Sequence, residues 1–216
     1  MRIFHFALFV VSLVTALLPT CLYARGELKT GDLIFQDLAC GELCDAIEAV
    51  TKEQLHVARP SLSHVGVVIR KGSKTFVLEA YGDVVALTPI GEVMARKQDS
   101  ASSVIPLATI HWLPKGFQKR LQRAADRYVG RPYDDRFAIG DGTYYCSELV
   151  YEIFKQANGS REFFRLSPMT FGVRGSSARK VWERYFEQLK IPVPEGQLGL
   201  SPLGIWLEAD AARRHR

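Results

Sequence analysis

The sequence lacks the signatures of several common functional classes. It contains no GxGxxG pattern and no Walker loop, so the two familiar phosphate-binding turns are absent. Besides Cys40 and Cys44, no second pair of Cys or His residues has the spacing of zinc ligands, so a metal pair is the weaker interpretation of those two cysteines. No internal repeat or low-complexity segment occurs. We therefore expect no metal and no organic cofactor.

The excess of basic residues is also small. The net charge is +5, and it falls to +4 once Arg2 is removed with the N-terminal segment described below. This charge is too weak and too dispersed to indicate nucleic-acid binding, although it is compatible with attraction to an anionic envelope surface. We expect a monomer that acts on a small substrate and binds no nucleic acid, with peripheral association with the envelope left open.

Only the N-terminus carries a long apolar run. Arg2 precedes an uncharged stretch over residues 3–18, and Leu22-Tyr23-Ala24 follows. A short basic segment, a brief apolar run and a small final residue are typical of a secretory signal. We therefore predict a signal peptide over residues 1–24 and a periplasmic or extracellular location. An uncleaved anchor is disfavoured because the run is short for a bilayer span, and a lipoprotein form at Cys21 because threonine precedes that cysteine.

The remaining chain is predicted to form two segments. Residues 25–160 contain every motif with chemical potential and are interpreted as the catalytic domain. Residues 161–216 are interpreted as a C-terminal extension that packs on this domain, with a helical pattern between residues 176 and 190. The last residues, Ala209–Arg216, are expected to be a disordered basic tail.

A helix is predicted to begin at Cys146. Apolar residues recur at helical spacing from this position, namely Leu149, Val150, Ile153, Phe154 and Ala157. Ser147 and Glu148 are expected on the opposite, polar face. A thiol in the first turn of a helix is favoured as thiolate by the unpaired N–H groups and the helix dipole. The alternative is a small buried hydrophobic residue, which free cysteines often are.

A β-hairpin is predicted over His64–Tyr81, because two runs of strand-forming residues flank a Lys-Gly-Ser-Lys turn. Its register places Gly66 opposite Glu79, so that His64 and Glu79 become diagonal neighbours on one face. A carboxylate that orients an imidazole is what the base of a nucleophile requires. The alternative is a partly exposed surface pair. A zinc site formed by these two residues and Cys146 is disfavoured, because the helix start favours a thiolate nucleophile.

The other histidines are weaker candidates for a base. His5 lies in the signal segment and His215 in the tail. His56 lies at a helix end, and His111 lies beside Trp112.

The cysteines support Cys146 as the reactive residue. Cys40 and Cys44 are four positions apart and could form a local disulfide, which would leave Cys146 as the odd cysteine of the mature chain.

Together these residues resemble the circularly permuted branch of the NlpC/P60 papain-like superfamily, and in particular the YiiX/YaeF-type permuted amidases. The resemblance covers residues 31–157, in the order and with gaps similar to those of the family. The Cys40/Cys44 segment is not part of that pattern. The matching pieces are Gly31-Asp-Leu-Ile-Phe-Gln36, Ser63-His64-Val-Gly, Val77-Leu-Glu79-Ala, Gly130-Arg-Pro-Tyr-Asp134 and Tyr145-Cys146-Ser-Glu-Leu-Val150.

The resemblance implies an α+β fold, the circularly permuted papain-like fold, in which an antiparallel sheet packs against helices. It further implies that Cys146 is the nucleophile, His64 the base and Glu79 the residue that orients the base. We expect the oxyanion to be bound by the backbone N–H of Cys146 and by a loop group near Tyr144 or Tyr145. Tyr133 lies on the turn that leads into this loop and is expected to line the same cleft.

The sequence therefore predicts an exported cysteine hydrolase of the amidase or peptidase type, acting on an amide or peptide that could be derived from the cell wall. Two alternatives stay open. One is a lipid acyl hydrolase or acyltransferase that uses the same thioester chemistry, since relatives of this permuted fold also handle lipid acyl groups. The other is a non-catalytic binding module on the same scaffold.

Overall fold

A computed structural model describes residues 27–58, 60–100, 102–109 and 113–214. The predicted signal peptide therefore lies outside the described residues, as do His5, His111 and His215. None of the described helices has the length and apolar character that a membrane span requires.

In the described part of the chain, five strands form one antiparallel sheet in the order β4-β3-β2-β1-β5. Its strands are β1 (Leu33–Gln36), β2 (His64–Lys71), β3 (Lys74–Tyr81), β4 (Val84–Pro89) and β5 (Ser103–Ile105). A separate short pair consists of β6 (Ser167–Pro168) and β7 (Leu198–Gly199). The helices are α1 (Glu42–Leu55), α2 (Ile90–Met94), α3 (Phe117–Ala125), α4 (Cys146–Ala157), α5 (Ser177–Gln188) and α6 (Pro202–Arg214). The expected α+β class, an antiparallel sheet packed against helices, is confirmed.

The register predicted for the hairpin is confirmed. Val67 pairs with Leu78, and Lys71 pairs with Lys74 across the turn. Since side chains alternate along a strand, this register places Glu79 on the same face of β3 as Val77.

The central strands are covered on both faces. Val65, Val67 and Leu78 belong to the main core, which includes the buried face of α4. On the other face, Val68 and Val77 pack with Val93 of α2 in a smaller cluster. Glu79 therefore comes from the face covered by α2, whereas α4 covers the opposite face. His64 is the first residue of β2, so it lies at the strand end, where groups from the two faces can meet.

The polar face predicted for α4 is wrong for Ser147 and Glu148, which are fully buried. Glu148 is covered by the loop that precedes the helix. The backbone N–H of Gly140 in that loop donates to Oε1 of Glu148 at 2.9 Å. Helical periodicity identifies one buried face but cannot show that a loop covers another.

The disordered tail predicted from residue 209 is also wrong for the described residues. Helix α6 continues to Arg214, and Ala209 is buried. The reason is that Leu203, Ile205 and Ala209 bury one side of this helix in the main core.

The segment after residue 160 contributes to the same core as the residues before it. The rings of Phe163 and Phe164 contact that of Phe154 in α4, and α5 and α6 both pack against α1. The position of a boundary between a catalytic domain and an extension stays a prediction.

Gly66 is a position where the hairpin requires the absence of a side chain. A Cβ atom there would collide with Cγ1 of Val77 and would lie 3.3 Å from Cβ of Glu79. We expect Gly66→Ala to lower the free energy of unfolding by about 1–3 kcal/mol, the usual cost of overpacking, as measured by urea denaturation.

Gly91→Ala is the matched control. Nothing lies within 4 Å of a Cβ atom at this position of α2, and alanine is preferred to glycine in helices. This variant should be neutral or slightly stabilising. Equal stability of the two variants would contradict the tight packing over Glu79.

Candidate active site

Cys146 is the first residue of α4. Its N-cap residue, Tyr145, makes no side-chain capping hydrogen bond, so the first N–H groups of the helix keep their capacity to donate. The side chain of Cys146 is 8% exposed. The thiol therefore lies beside the positive end of the helix dipole in a site with little water.

His64 and Glu79 lie together in the hairpin, as the register requires. Nε2 of His64 is 2.8 Å from Oε2 of Glu79, and both residues are buried. The alternative of a partly exposed surface pair is therefore wrong. Because Nε2 is engaged by the carboxylate, Nδ1 is the ring nitrogen left to interact with the thiol of Cys146, which contributes to the raised pKa of His64.

The charges of Cys146 and His64 support each other. Burial alone would raise the pKa of the thiol and lower the pKa of the imidazole, because both charged forms lose water. Their mutual hydrogen bond and attraction outweigh burial, so the pKa of Cys146 lies below its usual value. The same contacts, with Glu79 adding to them, raise the pKa of His64 to about 9. The arrangement favours a thiolate–imidazolium pair.

Arg96 is a site residue that sequence reasoning missed. Its Nη1 lies 2.7 Å from Oε2 of Glu79, and its Nη2 lies 2.6 Å from Oε1. Nη1 also donates to Oε1 of Gln36 at 3.3 Å, and Nε2 of Gln36 donates to the carbonyl of Val93. Although burial alone would raise the pKa of Glu79, Arg96 and His64 lower it to about 2. Arg96 follows the short helix α2 without any periodic pattern, so no sequence signal connects it with Glu79.

Tyr81 covers this charged network on the solvent side. The Arg96 guanidinium carbon lies 3.9 Å from the centre of the Tyr81 ring, and the His64 ring meets the same ring edge-on at 5.5 Å. Tyr81 itself is 45% exposed. One aromatic side chain thus separates water from two cationic groups, a placement that strengthens their interaction with Glu79.

The three tyrosines predicted to line the cleft occupy different places. Tyr133 lines the cavity at Cys146, and burial together with the nearby Cys146 raises the pKa of its phenol well above the usual value. Tyr145 lines the same cavity, but its hydroxyl accepts a hydrogen bond from the backbone N–H of Leu200 at 3.2 Å. Tyr144 instead packs edge-on against Tyr128 and is not among the residues that line the cavity. The role of each in binding substrate or the oxyanion stays a prediction.

Cys40 and Cys44 form a disulfide at the start of α1, with their Cα atoms 5.6 Å apart. Both residues line the cavity that contains Cys146. Cys146 is the one free cysteine among the described residues.

Glu148, in the first turn of α4, is a second buried carboxylic acid, and its burial was not predicted. Oε2 of Glu148 has no hydrogen-bond partner in the described part of the structure. Burial, reinforced by the nearby carboxylates of Asp134 and Asp141, raises the pKa of Glu148 to about 8. The side chain is therefore mostly neutral at pH 7, and its role is to hold the Gly140 loop against the start of α4.

Replacing Arg96 tests whether its charge compensates the buried carboxylate of Glu79. We expect Arg96→Met to lower the free energy of unfolding by about 3–5 kcal/mol near neutral pH, because it leaves the charge of Glu79 uncompensated. The pKa of Glu79 is depressed in the folded state, so its stabilising contribution is complete above the ordinary value of 4.5 and is lost as the pH falls toward about 2. The stability difference between wild type and variant should therefore narrow over this pH range in denaturation experiments.

Arg184→Met is the matched control, since Arg184 pairs with Glu42 at the surface and both side chains are more than half exposed. It should cost less than about 1 kcal/mol. A stability loss for Arg96→Met that is the same at every pH would contradict the conclusion that Arg96 stabilises the ionised carboxylate of Glu79.

The chain is similar to known proteins in sequence and in fold. The chain is 30% identical over 142 residues to the uncharacterized protein YiiX of Escherichia coli K12. That match covers 62% of this chain and 60% of the relative, so the chain spans about three fifths of the length of YiiX. The fold is similar to the crystal structure of metalloprotein yiiX from Escherichia coli O157:H7, with a TM-score of 0.68 and 24% identity. This structural match covers 84% of this chain and 93% of the other.

The description of that relative calls it a metalloprotein. In the described part of this chain, no group of three or more His, Cys, Asp or Glu residues could hold a metal ion.

The family assignment rests on the match to a family model, which covers more than half of the chain. The permuted papain-like amidase enzyme family, YaeF/YiiX, C92, matches residues 27–192, which contain Cys146, His64, Glu79 and Arg96. The wider NlpC/P60 label stays a prediction. This chain belongs to the permuted papain-like amidase family of YaeF and YiiX.

Proposed function

We propose that this protein is an exported cysteine hydrolase of the amidase or peptidase type. The observation that carries the proposal is the buried chain of contacts from Glu79 through His64 to Cys146. Membership of an amidase family supports hydrolase activity. The cysteine mechanism is inferred from the charges of the site.

In the proposed reaction, the Cys146 thiolate attacks the carbonyl carbon of an amide. The tetrahedral intermediate collapses to a thioester, and the leaving amine takes a proton from the His64 imidazolium. His64, now neutral, removes a proton from a water molecule that attacks the thioester. The carboxylic acid is released, and the thiolate and imidazolium are restored. Glu79 remains ionised throughout and holds the imidazole in place.

The oxyanion of the tetrahedral intermediate needs donors that are in place before the reaction. The backbone N–H of Cys146 meets this requirement, because it belongs to the first helical residue and Tyr145 provides no side-chain cap. Tyr133, which lines the cavity beside Cys146, is proposed as a second contact to the substrate.

The cellular location and the substrate class are inferred from the sequence. Export is proposed from the signal-like segment at residues 1–24, and a cell-wall peptide or another amide would suit an envelope location. A non-catalytic binding module is the weaker candidate, because a buried thiolate–imidazolium pair costs stability that pure binding would not require.

The rate of alkylation distinguishes a reactive thiolate from an unreactive thiol. We expect iodoacetamide to label Cys146 quickly at neutral pH in the wild type, with labelling followed by peptide mass mapping. His64→Asn should slow this reaction about tenfold or more, because a thiol with an ordinary pKa is only a few per cent thiolate at pH 7. His56→Asn is the matched control, since His56 is exposed at the end of α1 and should label like the wild type. Equal rates in the two variants would refute the thiolate–imidazolium pair.

Hydrolysis is the direct test of the proposed function. We expect release of a free amine from peptidoglycan fragments or simple amides, detected by mass spectrometry, and none with Cys146→Ala. Because the pKa of His64 is raised to about 9, the imidazolium is present below that pH and activity should fall as the pH rises through it. On the acidic side, activity should persist below the usual pKa of a thiol. Hydrolysis that survives in Cys146→Ala, or an alkaline limb near pH 6.5, where an ordinary histidine titrates, would contradict the mechanism.

A further inference from the structure

Exposed hydrophobic side chains gather around the edge strand β4. Of the six large hydrophobic side chains that are exposed in the described residues, three are those of Tyr81, Val84 and Val129, with exposed fractions of 45%, 43% and 44%. Tyr81 pairs with Val84 across the turn between β3 and β4, and Val84 also pairs with the exposed residue Pro132. Contiguous apolar surface of this kind marks an interaction site more often than single exposed residues do.

Basic residues continue this surface along α3. Four of them are spaced four positions apart, so they follow one side of the helix and lead toward β4. All four are exposed, and none forms an ion pair within the described part of the chain. This basic row consists of Lys119, Arg123, Arg127 and Arg131. Of the acidic residues nearby, Asp126 pairs with Lys71 at 2.8 Å, whereas Asp83 is exposed in the turn before β4. Cations therefore predominate.

The fold joins the apolar and basic parts into one surface. The N–H of Gly130 donates to the carbonyl of Val85 at 2.9 Å, and the N–H of Val85 donates to the carbonyl of Arg131 at 2.8 Å. These two bonds hold the end of the basic row against β4. On the other side, Tyr81 lines the cavity that contains Cys146. The surface therefore extends from the entrance of the candidate active site to the outer face of α3.

The combination of charges and apolar side chains indicates the kind of partner. A soluble anionic polymer would need only the cations. A bilayer that contains anionic lipids attracts lysine and arginine, with about a fivefold gain in affinity for each such residue near its surface. It also offers an apolar interior that removes valine side chains from water, and tyrosine is favoured at its interface.

We propose that this docking surface, made of Tyr81, Val84, Val129, Pro132 and the basic row, binds the protein peripherally to an anionic phospholipid bilayer. The basic row contacts the lipid phosphates, and the two valines lie at the boundary between headgroups and acyl chains. The entrance of the candidate active site then faces the membrane. This inference goes beyond the proposed hydrolase function and does not depend on it, so Cys146→Ala should dock as the wild type does.

Vesicle binding tests the proposal. The chain from residue 25 onward, the proposed exported form, is sedimented with vesicles of phosphatidylcholine alone or with about one third phosphatidylglycerol. We expect binding to the anionic vesicles that is about tenfold or more weaker with the neutral ones. It should weaken similarly in about 1 M salt, where the Debye length falls to about 3 Å. Equal binding to both kinds of vesicle, or binding only when residues 1–24 are present, would overturn the proposal.

Removal of the basic row should weaken binding strongly. A variant that combines Lys119→Gln, Arg123→Gln and Arg127→Gln should bind anionic vesicles about a hundredfold more weakly, the product of three losses of about fivefold. Circular dichroism checks that this surface variant is folded.

The matched control has the same net charge as the variant of the basic row. It carries the same substitution at three cations that are exposed around α5 and form no ion pair with other described residues, namely Arg174, Lys180 and Lys190. This control should bind the vesicles as the wild type does. Equal losses in the two variants would mean that net charge alone drives binding, and the docking surface would be refuted.

The apolar part distinguishes a bilayer from a soluble polyanion. Val84→Ser combined with Val129→Ser should lower the affinity for anionic vesicles about tenfold, because two partly exposed valines no longer leave water. Val173→Ser combined with Leu198→Ser is the matched control, since these side chains are 62% and 55% exposed outside the docking surface, and it should bind as the wild type does. If the valine variant binds normally while the basic-row variant does not, the surface is a polyanion site and the bilayer is the wrong partner.

Discussion

The structure depends on the burial of one carboxylate. Glu79 has no exposed surface, and an ionised carboxylate in such a place is tolerated only with paired charge. Arg96 holds both of its oxygens, and His64 shares one of them. Beyond His64 lies Cys146, whose pKa is lowered by His64 although burial alone would raise it. In the thiolate–imidazolium form, positive and negative groups alternate along this chain of contacts, two of each sign, and the net charge of the buried set is zero.

This balance explains why several elements must converge on one point. Arg96 follows α2, Glu79 and His64 come from the hairpin, and Cys146 begins α4. Removing either member of the Arg96–Glu79 pair would leave a buried, unpaired charge, which costs far more than the loss of one hydrogen bond. The set therefore couples the two faces of the sheet through the end of β2. The pKa of Glu148 is raised to about 8, chiefly by burial, and the neutral acid avoids a further buried charge.

The part of the site that could be predicted from sequence is the part governed by periodicity. The hairpin register follows from a short turn and the alternation of side chains, and it correctly places His64 beside Glu79. The helix beginning at Cys146 follows from a 3.6-residue repeat. Arg96 could not be found in this way, since it reaches Glu79 from the loop after α2, and a contact made by a loop residue leaves no repeat in the sequence. The same limit explains the burial of Glu148 under the loop at Gly140.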